Sequence, residues 1–211
     1  MQDPVPSETT ALRGPGLRRG FDEGQRAAAA RLYWDAFGDK LGVVLGPEPR
    51  ALALLQRVLR PDHCFAFQDD RGRLVGIAGF KSPEGSFAGG RAADMRAVYG
   101  PIGAAWRLAV LWLLSREVDN RRFLVDGIAV AESHRGHGVG TALLDALCDE
   151  ARGRGYDEIR LEVIDRNSRA RALYERKGFT AIRIEKLGAL GWIFGFASAT
   201  VMVRPLQGLE S

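Results

Sequence analysis

Cysteine is scarce in this chain of 211 residues, and its scarcity excludes the class of small secreted proteins that disulfides hold together. The two cysteines, Cys64 and Cys148, are too few for a disulfide framework. The three histidines, His63, His134 and His137, match no metal-ligand spacing, so no metal site is predicted. A reducing compartment fits such cysteine usage best, and we therefore expect a cytoplasmic protein.

Long hydrophobic runs are missing as well. The longest apolar stretches are Ala104–Leu114, which Arg107 interrupts, and Leu187–Val203, which glycine and serine dilute. A bilayer-spanning helix needs about 20 predominantly apolar residues, so no membrane span is predicted. Residues 1–20 are rich in proline, glycine and arginine without an apolar core of signal-peptide length, and we expect a flexible tail there.

The chain does have an ordinary apolar fraction of 46%, which suffices for the core of a single domain over residues 21–205. The net charge of +4 favours an anionic partner, for which nucleic acid and a phosphorylated cofactor are both candidates. The arginines are scattered and are not interleaved with aromatic residues, so no nucleic-acid partner is predicted.

Apolar periodicity and turn residues predict a mixed α/β (α+β) domain. A loop with a proline and several glycines is expected over 81–90, and Asn167 is expected to cap a helix. Helices are predicted over 21–40, 49–59, 103–117, 139–152 and 168–177, and strands over 63–68, 74–80, 123–130, 159–164, 179–187 and 196–203.

The most informative segment joins the strand at 123–130 to the helix at 139–152. It reads Arg135-Gly-His-Gly-Val-Gly-Thr141, with glycines at alternating positions. Such glycines leave backbone N–H groups unshielded, and the following helix N-terminus attracts anions, so the segment is suited to pyrophosphate. Arg135 adds a guanidinium group that matches phosphate oxygens. A glycine-rich turn that binds no ligand is the alternative.

Glycine spacing separates this loop from two common nucleotide-binding motifs. The Rossmann fingerprint needs G-x-G-x-x-G in the first βαβ unit, and the P-loop needs a lysine after its last glycine. Here the pattern is G-x-G-x-G, far along the chain and without that lysine.

Two motifs resemble those of the GNAT N-acetyltransferase superfamily. The pattern R-G-x-G-x-G after a strand ending in Ile-Ala-Val resembles its acetyl-CoA-binding motif. The segment Asn167-Ser-Arg-Ala-Arg-Ala-Leu-Tyr174-Glu-Arg-Lys-Gly-Phe179 resembles the family's N-x-x-A-x-x-L-Y-x-x-x-G-F signature. The two motifs stand in the family's order, and they cover the chain from Phe123 to Phe179.

The resemblance implies the GNAT fold, a mixed, twisted sheet of about six to seven strands flanked by helices. The sheet would splay after the strand at 123–130, and residues 81–118 would form an extra helical insertion. The implied activity is direct transfer of an acetyl group from acetyl-CoA to a primary amine of a small molecule. A protein lysine or N-terminal acetyltransferase and a non-catalytic acyl-CoA-binding module are the alternatives.

The same resemblance assigns residues to the coenzyme. The pantetheine arm would pair with the strand end, and Asn167 would hydrogen-bond that arm, unless it serves only as a helix cap. The expected coenzyme-binding residues are Ile128, Ala129 and Val130 for the arm and Arg135, Gly136, His137, Gly138, Val139, Gly140 and Thr141 for the pyrophosphate.

Acyl transfer to an amine needs a neutral nucleophile, an oxyanion donor and a proton for the leaving thiolate. By resemblance Tyr174 is the candidate general acid, with a packing role as the alternative. Asp126 is the candidate base or ammonium-binding group, because a carboxylate inside an apolar strand is costly unless it is paired or functional. A structural ion pair is its alternative, and Glu132 and Glu162 are weaker candidates. Cys148 lies in a predicted helix, so no covalent intermediate is expected.

The acceptor pocket is expected between the N-terminal helices, the insertion and residues 187–196. The helix at 103–117 is apolar nearly all round, which predicts burial on several sides as a core helix, a pocket wall or a subunit contact. A homodimer remains open. A hydrophobic or aromatic amine, or a longer acyl chain, is predicted from the aromatic residues Trp106, Trp112, Trp192, Phe194 and Phe196.

Overall fold

The computed structural model describes residues 16–114, 122–186 and 198–206, without the side chains of residues 40 and 112–114. Within these residues eight strands form one sheet, and five α-helices flank it. The strands are β1 Gly16–Arg19, β2 Cys64–Gln68, β3 Leu74–Ser82, β4 Gly85–Ser86, β5 Phe123–Val130, β6 Glu158–Ile164, β7 Thr180–Lys186 and β8 Ser198–Pro205. The helices are α1 Arg26–Leu45, α2 Glu48–Val58, α3 Ala92–Leu114, α4 Val139–Gly153 and α5 Ser168–Arg176.

The strand order is β1-β2-β3-β5-β6-β8-β7, and β4 pairs with β3 beside this path. Strands β5 and β6 are parallel, whereas the other paired strands are antiparallel. The predicted mixed sheet flanked by helices is confirmed. A parallel pair joined through a crossover helix, here α4, is what a strand–helix–strand segment is expected to form.

Two strands of the sheet were not predicted. Strand β1 has the sequence Gly-Leu-Arg-Arg and no apolar alternation, and it forms because it pairs antiparallel with β2 from Gly16↔Gln68 to Arg19↔Phe65. The expectation of a flexible tail over residues 1–20 is therefore wrong for Gly16–Arg19, and residues 1–15 lie outside the described residues. Strand β4 closes a tight hairpin with β3 inside the predicted loop.

The sheet separates two clusters of buried side chains. One cluster joins α1, α2 and α3 to the sheet and includes Tyr33, Leu54 and Tyr99. The other joins α4 and α5 to the opposite face and includes Leu143 and Tyr174. Burial of apolar surface on both faces, roughly 25 cal/mol per Å², provides the main driving force for this layered arrangement.

Helix α1 has the predicted length, but it lies five residues further along the chain, at Arg26–Leu45 rather than at 21–40. It passes through Gly38 and continues to Leu45. A Cβ atom placed on Gly38 would lie 3.1 Å from the ring of Trp34, so this glycine accommodates the indole of the preceding turn. Trp34 in turn donates its indole N–H to Glu48 at 3.0 Å, which ties α1 to the first turn of α2.

Helix α3 follows β4 and precedes β5 in the chain, within the predicted insertion, but it begins at Ala92 rather than at residue 103. It is kinked at Gly100, which has a φ of 71° and is followed by Pro101. Within the described part of residues 103–117 one side is buried, with Ala104 1% exposed, whereas Trp106 on another side is 44% exposed, so the expected burial on several sides is wrong for this part of the helix. Residues 115–118 lie outside the described residues. No helix in the described ranges is long and apolar enough to cross a membrane.

Candidate active site

The parallel strands β5 and β6 separate soon after they begin. Their ladder contains only the pairs Phe123↔Ile159 and Leu124↔Arg160, although β5 continues to Val130. On its other edge β5 stays paired with β3 as far as Gly76↔Val130. Among the described residues, the edge of β5 that faces β6 therefore has no strand partner beyond residue 124. An extended chain could add to such an edge through backbone hydrogen bonds.

The glycine loop, residues 135–141, follows shortly after the end of this open edge. Its backbone turns at Gly136, with φ of 85°, and again at Gly138, with φ of 83°. Gly138 is the N-cap of α4 and has no side chain to satisfy the helix terminus. The first helical hydrogen bond runs from Ala142 N to Gly138 O at 2.9 Å. The preceding N–H groups of Val139, Gly140 and Thr141 have no acceptor in the described part of the chain, and they remain available to an anion.

The third glycine of the loop, Gly140, lies close to both β5 and α5. A Cβ atom placed on Gly140 would lie 3.5 Å from Leu173 of α5 and 3.8 Å from Val130 of β5. The loop is therefore held between the strand end and α5. Arg135 is exposed, and its Nε donates to the carbonyl of Val130 at 3.1 Å, which fixes the guanidinium beside the strand end. His137 is also exposed, with Nδ1 3.1 Å from the carbonyl of Arg135.

Helix α5 carries Asn167 and Tyr174, two helical turns apart. The Asn167 side chain accepts a hydrogen bond from Ala170 N at 3.1 Å, so the predicted cap is confirmed. Its amide nitrogen has no hydrogen bond among the described residues and is free to donate. The structure thus permits the cap and a ligand contact at the same residue.

Tyr174 is buried between α5 and the sheet, with 8% of its surface exposed. Its ring lies 5.9 Å from that of Phe179. Its hydroxyl has no hydrogen-bond partner in the part of the chain that the structure describes. Burial raises the pKa of Tyr174 to about 12, so the phenol keeps its proton at neutral pH.

Asp126 occupies a bulge in β5. The register with β3 passes from Gly79↔Gly127 to Phe80↔Val125 and leaves Asp126 without a direct partner. Its carboxylate accepts a hydrogen bond from Ala88 N at 2.9 Å and lies 3.6 Å from Lys81 Nζ. An ion pair is therefore present, as the structural alternative expected, but its cation is a lysine that is half exposed.

Two aromatic side chains of α1, Tyr33 and Phe37, lie near β5 at Asp126 and Gly127, and they were missed as site residues. The rings of Tyr33 and Phe37 lie 4.7 Å apart, and Tyr33 lies 5.8 Å from Phe87. A Cβ atom on Gly127 would lie 2.6 Å from Phe37, so only glycine allows α1 this close. Burial and the charge of Asp126 raise the pKa of Tyr33. The four-residue spacing of Tyr33 and Phe37 on one helix face was the available signal.

The two candidate catalytic groups thus belong to opposite faces of the sheet, with β5 between them. Tyr174 lies in the cluster of α4 and α5, and Asp126 lies beside α1. Glu162, a weaker candidate, accepts a hydrogen bond from Arg160 at 3.1 Å, and Glu132 is exposed. No cluster of three or more His, Cys, Asp or Glu side chains within the described ranges could hold a metal ion. Trp192, Phe194 and Phe196, and the side chain of Trp112, lie outside the described residues.

Curated proteins match segments of this chain. The mycothiol acetyltransferase of Beutenbergia cavernae is 40% identical over 77 residues, which are 36% of this chain and 25% of that protein. The streptothricin acetyltransferase of Streptomyces lavendulae is 38% identical over 92 residues, which are 44% of this chain and 48% of that protein. Each match therefore spans half of the relative's length or less.

The fold is shared with solved structures over nearly the whole chain. The structure of yncA from Salmonella typhimurium with its cofactor acetyl-CoA has a TM-score of 0.54 at 17% identity, and it covers 94% of this chain and 98% of that one. Identity this low establishes the common fold alone. A sequence profile of the acetyltransferase (GNAT) family matches residues 26–179. Because that match covers more than half of the chain, the chain belongs to the acetyltransferase (GNAT) family.

Proposed function

We propose that this protein is an N-acetyltransferase that transfers an acetyl group from acetyl-CoA to a primary amine of a small molecule, by direct transfer in a ternary complex. One observation carries the proposal: β5 separates from β6 after residue 124, and residues 131–138 connect its open edge to the N-terminus of α4, which has no side-chain cap. This arrangement offers an extended arm a strand edge and offers a pyrophosphate a set of free N–H groups.

The residues present fit coenzyme A. The backbone of Ile128, Ala129 and Val130 lies along the open edge, where a pantetheine arm would extend the sheet. The loop from Arg135 to Thr141 would hold the pyrophosphate through its backbone N–H groups. The free amide of Asn167 would donate to the arm.

The acid–base chemistry is assigned to Tyr174 and Asp126. Acetyl-CoA supplies an activated acyl thioester. Tyr174 holds its proton at neutral pH and would donate it to the leaving sulfur. Asp126 would bind the acceptor ammonium group and take up the proton that the amine must lose. A backbone N–H near Val130 would stabilise the developing oxyanion.

Two matched relatives support a small-molecule acceptor, because they are named for mycothiol and streptothricin rather than for a protein. The aromatic residues around Asp126 support a hydrophobic group next to the amine. Both described cysteines are free and buried, which agrees with the reducing, cytoplasmic setting that we propose.

A pair of glycine variants tests the coenzyme site. Gly138 and Gly155 lie at opposite ends of α4 with φ of 83° and 77°, and a Cβ atom at either would meet nothing within 4 Å. Gly138→Glu adds a carboxylate to the anion site, whereas Gly155→Glu adds the same charge and the same backbone strain elsewhere. We expect calorimetric titration to give a Kd for acetyl-CoA on the order of micromolar for the wild type and the Gly155 variant. Gly138→Glu should weaken acetyl-CoA binding by about tenfold or more.

A panel of amines then tests the acceptor class, and release of the CoA thiol measures turnover of each amine. Aliphatic, aromatic and polar small amines are compared with a lysine-containing peptide and a peptide N-terminus. Turnover of hydrophobic small amines supports the proposal, whereas turnover of peptides alone would identify a protein acetyltransferase. Absence of acetyl-CoA binding by a folded wild type would overturn the proposed function altogether.

A further inference from the structure

Arg169, in the first turn of α5, lies against the glycine loop although it is distant from the loop in sequence. Its Nη2 atom would be 3.2 Å from a Cβ atom placed on Gly136, where the loop backbone turns with φ of 85°. Because Gly136 has no side chain, the guanidinium group of Arg169 can lie close to the loop backbone. This contact brings a second arginine to the loop that already carries Arg135.

Arg169 is exposed, and no acidic group beside it neutralises its charge in the part of the chain that the structure describes. Among the described residues it has no carboxylate partner, whereas Arg171 on the same helix donates to Glu175 at 2.9 Å. The first turn of α5 contains no acidic residue. A cation there faces the partial positive charge of the helix N-terminus, which disfavours it. A bound anion would relieve both effects.

We infer that Arg169 is a phosphate-binding residue, whose guanidinium contacts a phosphate group of the coenzyme held on the glycine loop. The inference rests on the proposed function, because it needs coenzyme A at that loop. A planar guanidinium can donate two hydrogen bonds to one phosphate, which makes it specific as well as attractive. Arg135 donates its Nε to the carbonyl of Val130, and Arg169 adds a second guanidinium group to the charge and the N–H donors at the loop.

Two phosphate groups of the coenzyme share this chemistry, the pyrophosphate and the 3′-phosphate of the ribose. The pyrophosphate is expected on the loop N–H groups, directly beside Gly136. The 3′-phosphate is a monoester that carries a charge of about −1.5 to −2 on a single phosphorus atom, and it would need a cation outside the loop. Comparison of CoA with dephospho-CoA separates the two sources, because only the first has the 3′-phosphate.

The experiment is calorimetric titration of CoA and of dephospho-CoA into the wild type, Arg169→Gln and Arg171→Gln. Arg171→Gln is the matched control, since it removes the same charge from the same helix two residues away. We expect Arg169→Gln to weaken CoA binding roughly 10-fold to 100-fold and Arg171→Gln to change it less than about 3-fold. Arg169→Lys should retain part of the affinity, because it keeps the charge and loses the planar fork.

A loss with CoA that disappears with dephospho-CoA assigns Arg169 to the 3′-phosphate, and an equal loss with both assigns it to the pyrophosphate. Equal affinities of Arg169→Gln and Arg171→Gln, with a wild type that binds CoA, would overturn the inference and leave the proposed function intact. Failure of the wild type itself to bind CoA would overturn both. Thermal unfolding of each variant checks that the exposed substitution leaves the fold unchanged.

Discussion

The two faces of the sheet at β5 differ in how they prepare chemistry. On the face of α4 and α5, the site consists largely of backbone: an open strand edge, free N–H groups and glycines that keep them accessible. On the face of α1 and α3, it consists largely of side chains: Asp126 accepts from the backbone N–H of Ala88 and lies beside Lys81, and the ring of Tyr33 lies near enough for its pKa to respond to that carboxylate. Backbone N–H groups suffice to bind a phosphate, whereas the acceptor amine must be selected by the shape and charge of surrounding side chains.

This difference predicts which changes affect every substrate and which affect only some. A group that serves the thioester acts on each turnover, whatever amine is bound. A group that serves the acceptor acts in proportion to how that amine is held. Substitutions on the two faces should therefore differ in size and in their dependence on the acceptor.

Replacement of Tyr174 by phenylalanine should have the largest effect. The hydroxyl has no hydrogen-bond partner among the described residues, so its removal should leave the free energy of unfolding nearly unchanged. Loss of the proton donor should lower kcat roughly 10²-fold or more with every amine, while the Kd for acetyl-CoA stays the same. Steady-state kinetics with a panel of amines measures the first quantity and calorimetry the second.

Tyr156→Phe is the control for this comparison, because its ring packs 5.6 Å from Phe123 in the same layer but away from the open edge. It should retain the kcat of the wild type. If Tyr174→Phe retained it too, the phenol would be a packing residue and the acid would have to be sought elsewhere.

Asp126→Asn should have a smaller effect that varies with the acceptor. We expect kcat/KM to fall about 10-fold to 100-fold, less than for Tyr174, because an amine can also lose its proton to water. Strongly basic amines should suffer most, since they arrive charged. Lys81→Met serves as the companion variant: it removes the competing cation, and it should lower KM for basic amines while Asp126→Asn raises it. A uniform loss across all amines would contradict an acceptor role for Asp126.

Elements whose ends are marked by local residues were the ones that the sequence predicted well. Strand 123–130 was predicted with its observed bounds, and α4 and α5 were predicted to within one residue, because glycines and an Asn cap mark their ends. The early start of α3 was missed, since nothing local shows that the kink at Gly100 joins two helical segments.

Tertiary contacts account for the remaining differences. β1 exists only through its pairing with β2, and Gly38 lies inside α1 because it accommodates the ring of Trp34. Arg169 lay inside a recognised motif, yet its place beside Gly136 depends on how α5 packs on the loop. Packing of this kind has no signature in a single sequence, because many residue choices satisfy it.

Alkaline unfolding should give the smallest effect, and it compares one buried phenol on each face. Below pH 10 both the folded and the unfolded chain hold the Tyr174 proton, so this group adds no pH dependence. Between pH 10 and about 12 the unfolded chain releases a proton that the folded chain retains, so stability falls as pH rises. The loss is at most roughly 1.4 kcal/mol per pH unit. Urea unfolding from pH 9 to pH 11 should therefore show a shallower decline for Tyr174→Phe than for the wild type.

Tyr33→Phe should flatten the same decline, because burial also raises the pKa of Tyr33, but the neighbouring carboxylate adds a second cause on that face alone. Asp126→Asn should consequently reduce the part of the alkaline decline that Tyr33 contributes and leave the part from Tyr174 unchanged. The double variants Asp126→Asn/Tyr33→Phe and Asp126→Asn/Tyr174→Phe separate the two contributions. If Asp126→Asn changed the alkaline decline of stability equally through Tyr174 and through Tyr33, the charge of Asp126 would act on both faces of the sheet. The two faces would then not be electrostatically separate.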